Sequence, residues 1–134
     1  MSFQPEIYPS VPFIDVERLG QNYDTTTVGD TQSPIFTYTM VPAENDFRFV
    51  QATIVGYSAD NPNSYITVQV QASFKFVAGV LTLMGESRPL NIRNNMDINV
   101  FFAINGNDIE IICDGIAGST IKWSGIVATW SVKP

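Results

Sequence analysis

The sequence predicts an all-β protein, an antiparallel β-sandwich of the jelly-roll type, and three observations support this prediction. Apolar and polar residues alternate with a period of two through most of the chain after residue 34, as in strands with one buried face. Turn signals rich in Gly and Asn separate the alternating segments, and no segment with helical periodicity exceeds about two turns. About seven strands are expected, and a closed barrel is the alternative architecture.

The first 34 residues are predicted to form an extended arm, and residues 35–134 the sandwich. Four prolines fall in the first segment, and each fixes φ and lacks a backbone donor, so regular strand pairing is not expected there. Apolar residues are too frequent for a free linker, so the arm should dock on its own sandwich or on a neighbouring subunit. A short helix over residues 14–19 is also expected. The arm residues expected at an interface are Phe3, Ile7, Tyr8 and Phe13.

Strands are expected over residues 35–41, 47–57, 64–76 and 80–84. The clearest is 64–76, in which every second residue from Ile66 to Phe76 is apolar and most of the intervening residues are polar. The segment Val77-Ala78-Gly79 is expected to turn this strand into the next one. Residues 87–95, which include Pro89, are expected to be irregular.

A hairpin is predicted around Asn105-Gly106-Asn107, because alternating residues flank it and Asn-Gly tolerates the positive φ of a tight turn. A turn at Asn105-Gly106 would place Asp97 opposite Asp114. A turn at Gly106-Asn107 would shift the register by one pair and bury the same faces. The sequence leaves both registers open.

The last predicted strand covers residues 120–132, and its apolar parity changes at Ser124-Gly125. Ile121 and Trp123 lie on one parity, whereas Ile126 and Trp130 lie on the other. A β-bulge at Gly125 would return all of them to one face. Without a bulge, both faces of this strand are expected to be buried, one of them by another chain.

The composition narrows the classes of function. The 134 residues include 7 Lys and Arg against 13 Asp and Glu, a net charge of −6, which disfavours nucleic acid and anionic membrane surfaces as partners. The chain contains no His, which excludes His-assisted nucleophiles and His-ligated zinc. No cofactor, metal, nucleic acid or membrane insertion is therefore expected. Charged residues make up only 15%, which indicates either a partner-covered surface or strand faces rich in Thr, Asn and Gln.

Few residues suggest catalysis. Cys113 is the single cysteine and falls on the apolar parity of its strand, so a buried structural thiol is predicted. Asp97 and Asp114 are the carboxylate pair that could support acid–base hydrolysis, although both are expected on a solvated face or at a strand end. The sequence therefore predicts no catalytic residue and no enzyme.

Two groups of surface residues are candidates for binding. A loop rich in Asn and Pro with flanking aromatic residues is a type of surface that lectins use, with an ordinary loop as the alternative. Its residues are Tyr57, Asp60, Asn61, Asn63 and Tyr65. Apolar residues on the polar parity of a strand commonly mark contact surfaces. Those expected at a subunit interface are Phe101 and Ile112, together with Leu81 or Leu83.

Residues 113–123, Cys-Asp-Gly-Ile-Ala-Gly-Ser-Thr-Ile-Lys-Trp, resemble a C-terminal hairpin of tailed-bacteriophage structural proteins. There a strand ends in Gly-x-Ala-Gly-x-Thr-Ile-x-Trp, and a last strand closes a β-sandwich. The matching residues are Gly115, Ala117, Gly118, Thr120, Ile121 and Trp123. In physical terms, the two glycines are expected to adopt positive φ and the Trp to seat the last strand in the core.

The resemblance implies a non-enzymatic virion protein, made in the host cytoplasm, that forms a homo-oligomer such as a trimer and docks on other virion proteins. Tail fibre, tail tip, head–tail connector and head-decoration proteins are the types implied. No coiled-coil or collagen-like stalk occurs, which favours a compact knob, adaptor or decoration subunit. A carbohydrate- or receptor-binding module for host-surface glycan is the alternative, and an acid–base hydrolase using Asp97 or Asp114 is a third hypothesis.

Overall fold

The chain forms two antiparallel β-sheets in a computed structural model, which describes residues 14–58, 60, 64–94 and 97–133. The larger sheet has the strand order β1-β8-β3-β4-β5, and the smaller sheet has the order β2-β7-β6. This arrangement confirms the all-β, antiparallel prediction, with eight strands instead of about seven. No helix in the described part of the chain is long and apolar enough to cross a membrane. The strands are β1 (Ile14–Val28), β2 (Gln32–Thr39), β3 (Asp46–Ser58), β4 (Tyr65–Val77), β5 (Val80–Arg93), β6 (Asn99–Asn105), β7 (Asp108–Asp114) and β8 (Thr120–Val132).

The inner faces of the two sheets pack against each other and form the hydrophobic core. β4 shows the predicted alternation without a break, because every second residue from Ile66 to Phe76 is at most 2% exposed. From the smaller sheet, Phe36 and Ile111 are buried against it. Burial of such side chains contributes about 1.5–3 kcal/mol each, so the alternating pattern fixes which face of each strand points inward.

Pairing begins earlier in the chain than expected. β1 pairs with β8 from Ile14 opposite Val132 to Val28 opposite Thr120, so the helix expected over residues 14–19 is wrong and strand residues occur well before residue 35. Two register shifts near Arg18 interrupt the ladder, which explains why no clean alternation is visible there. Pro34 lies in edge strand β2 next to a register shift, a position where a missing donor is tolerated. The expected interface residues Phe3, Ile7, Tyr8 and Phe13 lie outside the described residues.

The β6–β7 hairpin adopts the second of the two predicted registers. Asn105 pairs with Asp108, which puts Gly106 and Asn107 in the turn, and Gly106 has a φ of 62°. Asn99, and not Asp97, therefore lies opposite Asp114. The first register, which paired the two aspartates, is wrong.

β8 runs past Gly125 without a bulge. Its ladders with β1 and β3 keep one register through this residue, and Gly125 takes an inward position between Trp123 and Val127. A Cβ at Gly125 would collide with Ile54 Cδ1 of the neighbouring strand, so a larger residue there would require the Ile54 side chain to move. Because the register is unbroken, Ile126, Ala128, Trp130 and Val132 point outward. The bulge is therefore wrong, and burial of the outward face of β8 by another chain stays a prediction.

β5 is much longer than predicted. It continues through Pro89 to Arg93, with register shifts against β4 at two places. β5 is the edge strand of the larger sheet and pairs only with β4 in that sheet. A residue without a backbone N–H, such as Pro89, is therefore tolerated there. Residues 87–93, expected to be irregular, therefore belong to the sheet.

Candidate functional site

The outer face of the five-stranded sheet, which points away from the smaller sheet, carries a pair of contacting aromatic rings. Phe49 on β3 and Trp130 on β8 are cross-strand neighbours, with ring centroids 5.5 Å apart and planes inclined by 39°. Both side chains are only partly buried. Exposed Ile126 and Val55 lie farther along the same face. The outer surface of β8 and β3 is therefore apolar at several points, as the parity change in the sequence indicated.

A row of neutral polar side chains crosses the same face beside the aromatic pair. Gln51 Nε2 donates to Gln71 Oε1 at 3.3 Å, and Gln71 Nε2 donates to Ser87 Oγ at 3.0 Å. These residues belong to β3, β4 and β5, so the hydrogen bonds run across three strands. Gln69 stands one outward position away from Gln71 on β4. The cross-strand hydrogen bonds fix the positions of the Gln51 and Gln71 amides.

Three adjoining depressions, called the diagonal groove below, cross this face from β5 to β1. The central one has a volume of about 390 Å³, and those on either side have volumes of about 200 and 230 Å³. The central one shares Thr53 and Ile126 with the depression near β1, and the contact between Phe49 and Trp130 lies between it and the depression near β5. The groove lining contains a single charged residue, Glu86, at the β5 end. The remainder of the lining consists of amides, hydroxyls and apolar groups.

Three residues of the predicted loop cluster, Tyr57, Asp60 and Tyr65, lie in the described part of the chain. Tyr57 and Tyr65 lie opposite each other at one end of β3 and β4, 49% and 44% exposed, on the outer face. Asp60 accepts hydrogen bonds from Ser58 Oγ and from the backbone N–H of Thr120, and the Ser58 bond lowers the pKa of its carboxyl. Asp60 therefore ties the loop to the start of β8. Asn61 and Asn63 lie outside the described residues.

The predicted contact residues of β6 and β7 differ in accessibility. Ile112 is only 8% exposed, and Phe101, its cross-strand partner, is partly buried. Ile112 therefore offers little surface to another subunit. On β5, Leu83 is 38% exposed and Leu81 is partly buried against the core. That the four residues form a subunit contact remains a prediction.

The connection between β7 and β8, which carries the bacteriophage resemblance, docks on β1. β7 lies in the smaller sheet and β8 in the larger one, so these two strands do not form the hairpin that the resemblance implies. Trp123 is 2% exposed, and its Nε1 donates to Thr27 Oγ1 at 3.0 Å. Gly118 has the expected positive φ, 79°, but Gly115 does not. Gly115 is instead required by close approach, because a Cβ there would lie 2.6 Å from Thr27 Oγ1 and 2.7 Å from Gly29 O.

A buried ionic cluster between the sheets was missed at the sequence level. Arg48 is fully buried on the inner face of β3, and its Nη2 donates to Asp46 Oδ2 at 2.9 Å and to Tyr38 Oη at 3.0 Å. Its Nη1 donates to Thr129 Oγ1 at 3.4 Å, and its guanidinium lies 4.0 Å from the Tyr38 ring centroid. The sequence does indicate that Arg48 is buried, because Arg48 and Val50 are two residues apart on the same strand and therefore point to the same, inward face. Its hydrogen bonds join β2, β3 and β8, which is a structural role.

The candidate catalytic residues lie apart from the diagonal groove. Asp97 and Asp114 line an open depression of about 340 Å³ together with Asp30. Desolvation, followed by the charge of Asp30, raises the pKa of Asp114. Cys113 is buried, as predicted, and burial raises its pKa to about 12. Among the described residues, no group of three or more His, Cys, Asp or Glu side chains could hold a metal ion.

No protein-family model and no curated protein sequence matches the chain. Among solved structures, the tailspike protein of Acinetobacter baumannii phage AM24 is similar over 90% of this chain, with 10% identity and a TM-score of 0.44. The tailspike protein of Acinetobacter baumannii bacteriophage Fri1, a capsular polysaccharide depolymerase, is similar over 96%, with 12% identity and a TM-score of 0.45. The tailspike protein of another Acinetobacter phage is similar over 90%, with 9% identity and a TM-score of 0.31. The chain spans 26%, 23% and 22% of these tailspike chains, and similarity at this level assigns no function or partner to it.

Proposed function

We propose that this chain is a non-enzymatic structural subunit of a bacteriophage particle that associates with further copies of itself and docks on other virion proteins. The β7–β8 connection and the start of β8 support the particle type, because Gly115, Gly118 and Trp123 of the resembling motif each have a specific structural role. An exposed apolar flank of the sandwich supports self-association, and it is the observation on which the proposal depends.

The apolar flank consists of Leu81, Leu83, Phe102 and Ile104, where β6 covers β5 only in part. Leu83 and Phe102 both adjoin Phe74, the first as its cross-strand partner and the second through an edge-to-face ring contact at 5.6 Å. Leu83 and Ile104 are 38% and 40% exposed. Exposed apolar residues that continue a core to the surface are typical of sites that another protein covers.

The surroundings of the flank favour contact through side chains over pairing of strand edges. Next to Leu83 on β5, Met84 lies at a register shift and is 52% exposed, which adds apolar surface. The register shifts of β5 against β4 and the presence of Pro89 interrupt the regular edge that strand addition would require. We therefore propose packing of two or more flanks, with a trimer as the expected assembly.

Light scattering coupled to size-exclusion chromatography tests this proposal. The full chain is expected to elute with a multiple of its 14.8 kDa mass, and Leu83→Asp is expected to shift it to the monomer. Val28→Asp is the matched control, because Val28 is 65% exposed on the opposite edge of the sheet and its replacement should leave the mass unchanged. A strictly monomeric wild-type chain at micromolar concentration contradicts the proposal.

Two further observations test the particle type and the absence of catalysis. Portal, terminase or tail genes beside the coding sequence are expected, and their absence would contradict a virion role. Purified chain is expected to release no reducing ends from bacterial polysaccharides. Such release would show that the chain is an enzyme.

A further inference from the structure

We infer that the diagonal groove binds a neutral oligosaccharide, with the Phe49–Trp130 pair as its apolar platform and the Gln51–Gln71 row as its hydrogen-bonding edge. This site is distinct from the apolar flank and from the Tyr57 and Tyr65 loop cluster. The inference therefore goes beyond the assembly role and can fail or succeed independently of it.

The lining of the groove matches the two kinds of surface that a sugar ring presents. The C–H face of a pyranose is apolar and slightly positive, so it packs on the negative face of an aromatic ring such as Trp130. Its hydroxyl groups both donate and accept hydrogen bonds. An amide side chain offers two donors and a carbonyl oxygen with two lone pairs, so Gln51 and Gln71 keep capacity beyond their bonds to each other and to Ser87.

Pre-ordering of the polar groups favours binding. The amides are already fixed by cross-strand hydrogen bonds, so little side-chain freedom is lost when a ligand engages them. The central depression, with a volume of about 390 Å³, lies at the lower end of the range for ligand sites. Its continuation toward β1 past Thr53 and Ile126 provides space for a neighbouring sugar unit.

Charge selects the class of ligand. The lining includes no Lys or Arg, and its one charged residue, Glu86, is acidic. Phosphate backbones, sulfated glycans and uronic-acid polymers would find no cation there, and the chain as a whole has a net charge of −6. A neutral, polyhydroxylated ligand is the class that meets no electrostatic penalty.

A printed array of neutral and uronic-acid-containing bacterial glycans, followed by calorimetry with the strongest neutral oligosaccharide, tests the inference. The full chain is expected to bind neutral members in preference to acidic ones. Gln51→Ala and Gln69→Ala are each expected to weaken binding about tenfold, the usual effect of losing one hydrogen bond. Trp130→Ala should weaken it at least as much, and Tyr65→Ala, on the same face outside the groove, should leave it unchanged.

Tryptophan fluorescence supplies an independent readout. The chain has two Trp residues, and Trp123 is 2% exposed, so a ligand-induced change should come from Trp130 and disappear in Trp130→Phe. Binding of acidic glycans alone, or no binding to any array member by folded protein, would overturn the inference. So would a loss of binding in Tyr65→Ala with the groove variants unaffected. A drop in oligomer mass in Trp130→Ala, with Leu83→Asp unaffected, would show instead that a second copy covers this face.

Discussion

At the residue scale, Thr27 accounts for two of the residues in the β7–β8 connection. It is fully buried on β1, and its Oγ1 accepts the indole N–H of Trp123. The same oxygen lies so close to Gly115 that no side chain fits there. A bulky Trp and a residue without Cβ are therefore required at these two positions for one reason, the packing of the β7–β8 connection and the start of β8 against the first strand.

Removal of the Trp123 side chain should destabilise the chain strongly. Trp123→Ala leaves a large cavity and removes the indole N–H that the Thr27 hydroxyl accepts. We therefore expect a loss of about 3–5 kcal/mol in the free energy of unfolding, measured by urea denaturation. Trp130→Ala on the outer face should cost less, because that ring is only partly buried. An unchanged unfolding midpoint in Trp123→Ala would contradict the placement of this ring in the core.

The thiol of Cys113 should be unreactive in the folded chain. Burial raises its pKa to about 12, so almost no thiolate is present at neutral pH, and reagents have no access to the sulfur. We expect no iodoacetamide adduct by intact-mass spectrometry until denaturant is added. A Thr26→Cys variant, exposed on β1, should gain a single adduct under native conditions. Rapid native alkylation of the wild-type chain would show that the β7 face opens.

At the scale of elements, β3 and β8 pack tightly where a glycine of β3 faces a tryptophan of β8. Gly56 is the cross-strand partner of Trp123, and a Cβ at Gly56 would lie 2.6 Å from two carbons of the indole ring. Gly56→Ala is therefore expected to cost about 1–3 kcal/mol in the free energy of unfolding. Gly85→Ala on β5 is the matched control, since nothing lies within 4 Å of its added Cβ and little change is expected. Equal stability of both variants would contradict the tight packing of Trp123.

The elements that sequence reasoning identified are those with a regular buried face. β4 was predictable because every second residue from Ile66 to Phe76 is apolar and buried, without interruption. β1 was not, because an edge strand with register shifts places polar residues on both faces and shows no period. The later part of β5 was hidden by Pro89, which an edge strand tolerates but which, in a sequence alone, indicates a break.

At the scale of the whole molecule, the candidate site could not be read from the sequence because strand order creates it. β8, the last strand, lies between β1 and β3, which brings Trp130 beside Phe49 although they are far apart in sequence. The parity change at Gly125 did indicate that β8 has two apolar faces. It gave no information about the Gln51–Gln71 row, which depends on the pairing of β4 with β3 and with β5.

The pH dependence of stability should reflect two aspartates with opposite shifts. The pKa of Asp114 is raised by desolvation and by Asp30, so its ionised form destabilises the fold above that raised pKa, and the penalty disappears as pH falls toward the ordinary value of 3.8. Asp114→Asn should therefore raise the Tm at neutral pH, with the gain shrinking toward zero in acid.

Asp60 has a lowered pKa, so its ionised carboxylate stabilises the fold above pH 3.8. This contribution is lost as the pH falls through the pKa of Asp60 in the folded chain. Asp60→Asn should lower the Tm at neutral pH. Calorimetric melting curves from neutral to acidic pH measure both effects, and shifts of the same sign in the two variants would contradict these assignments.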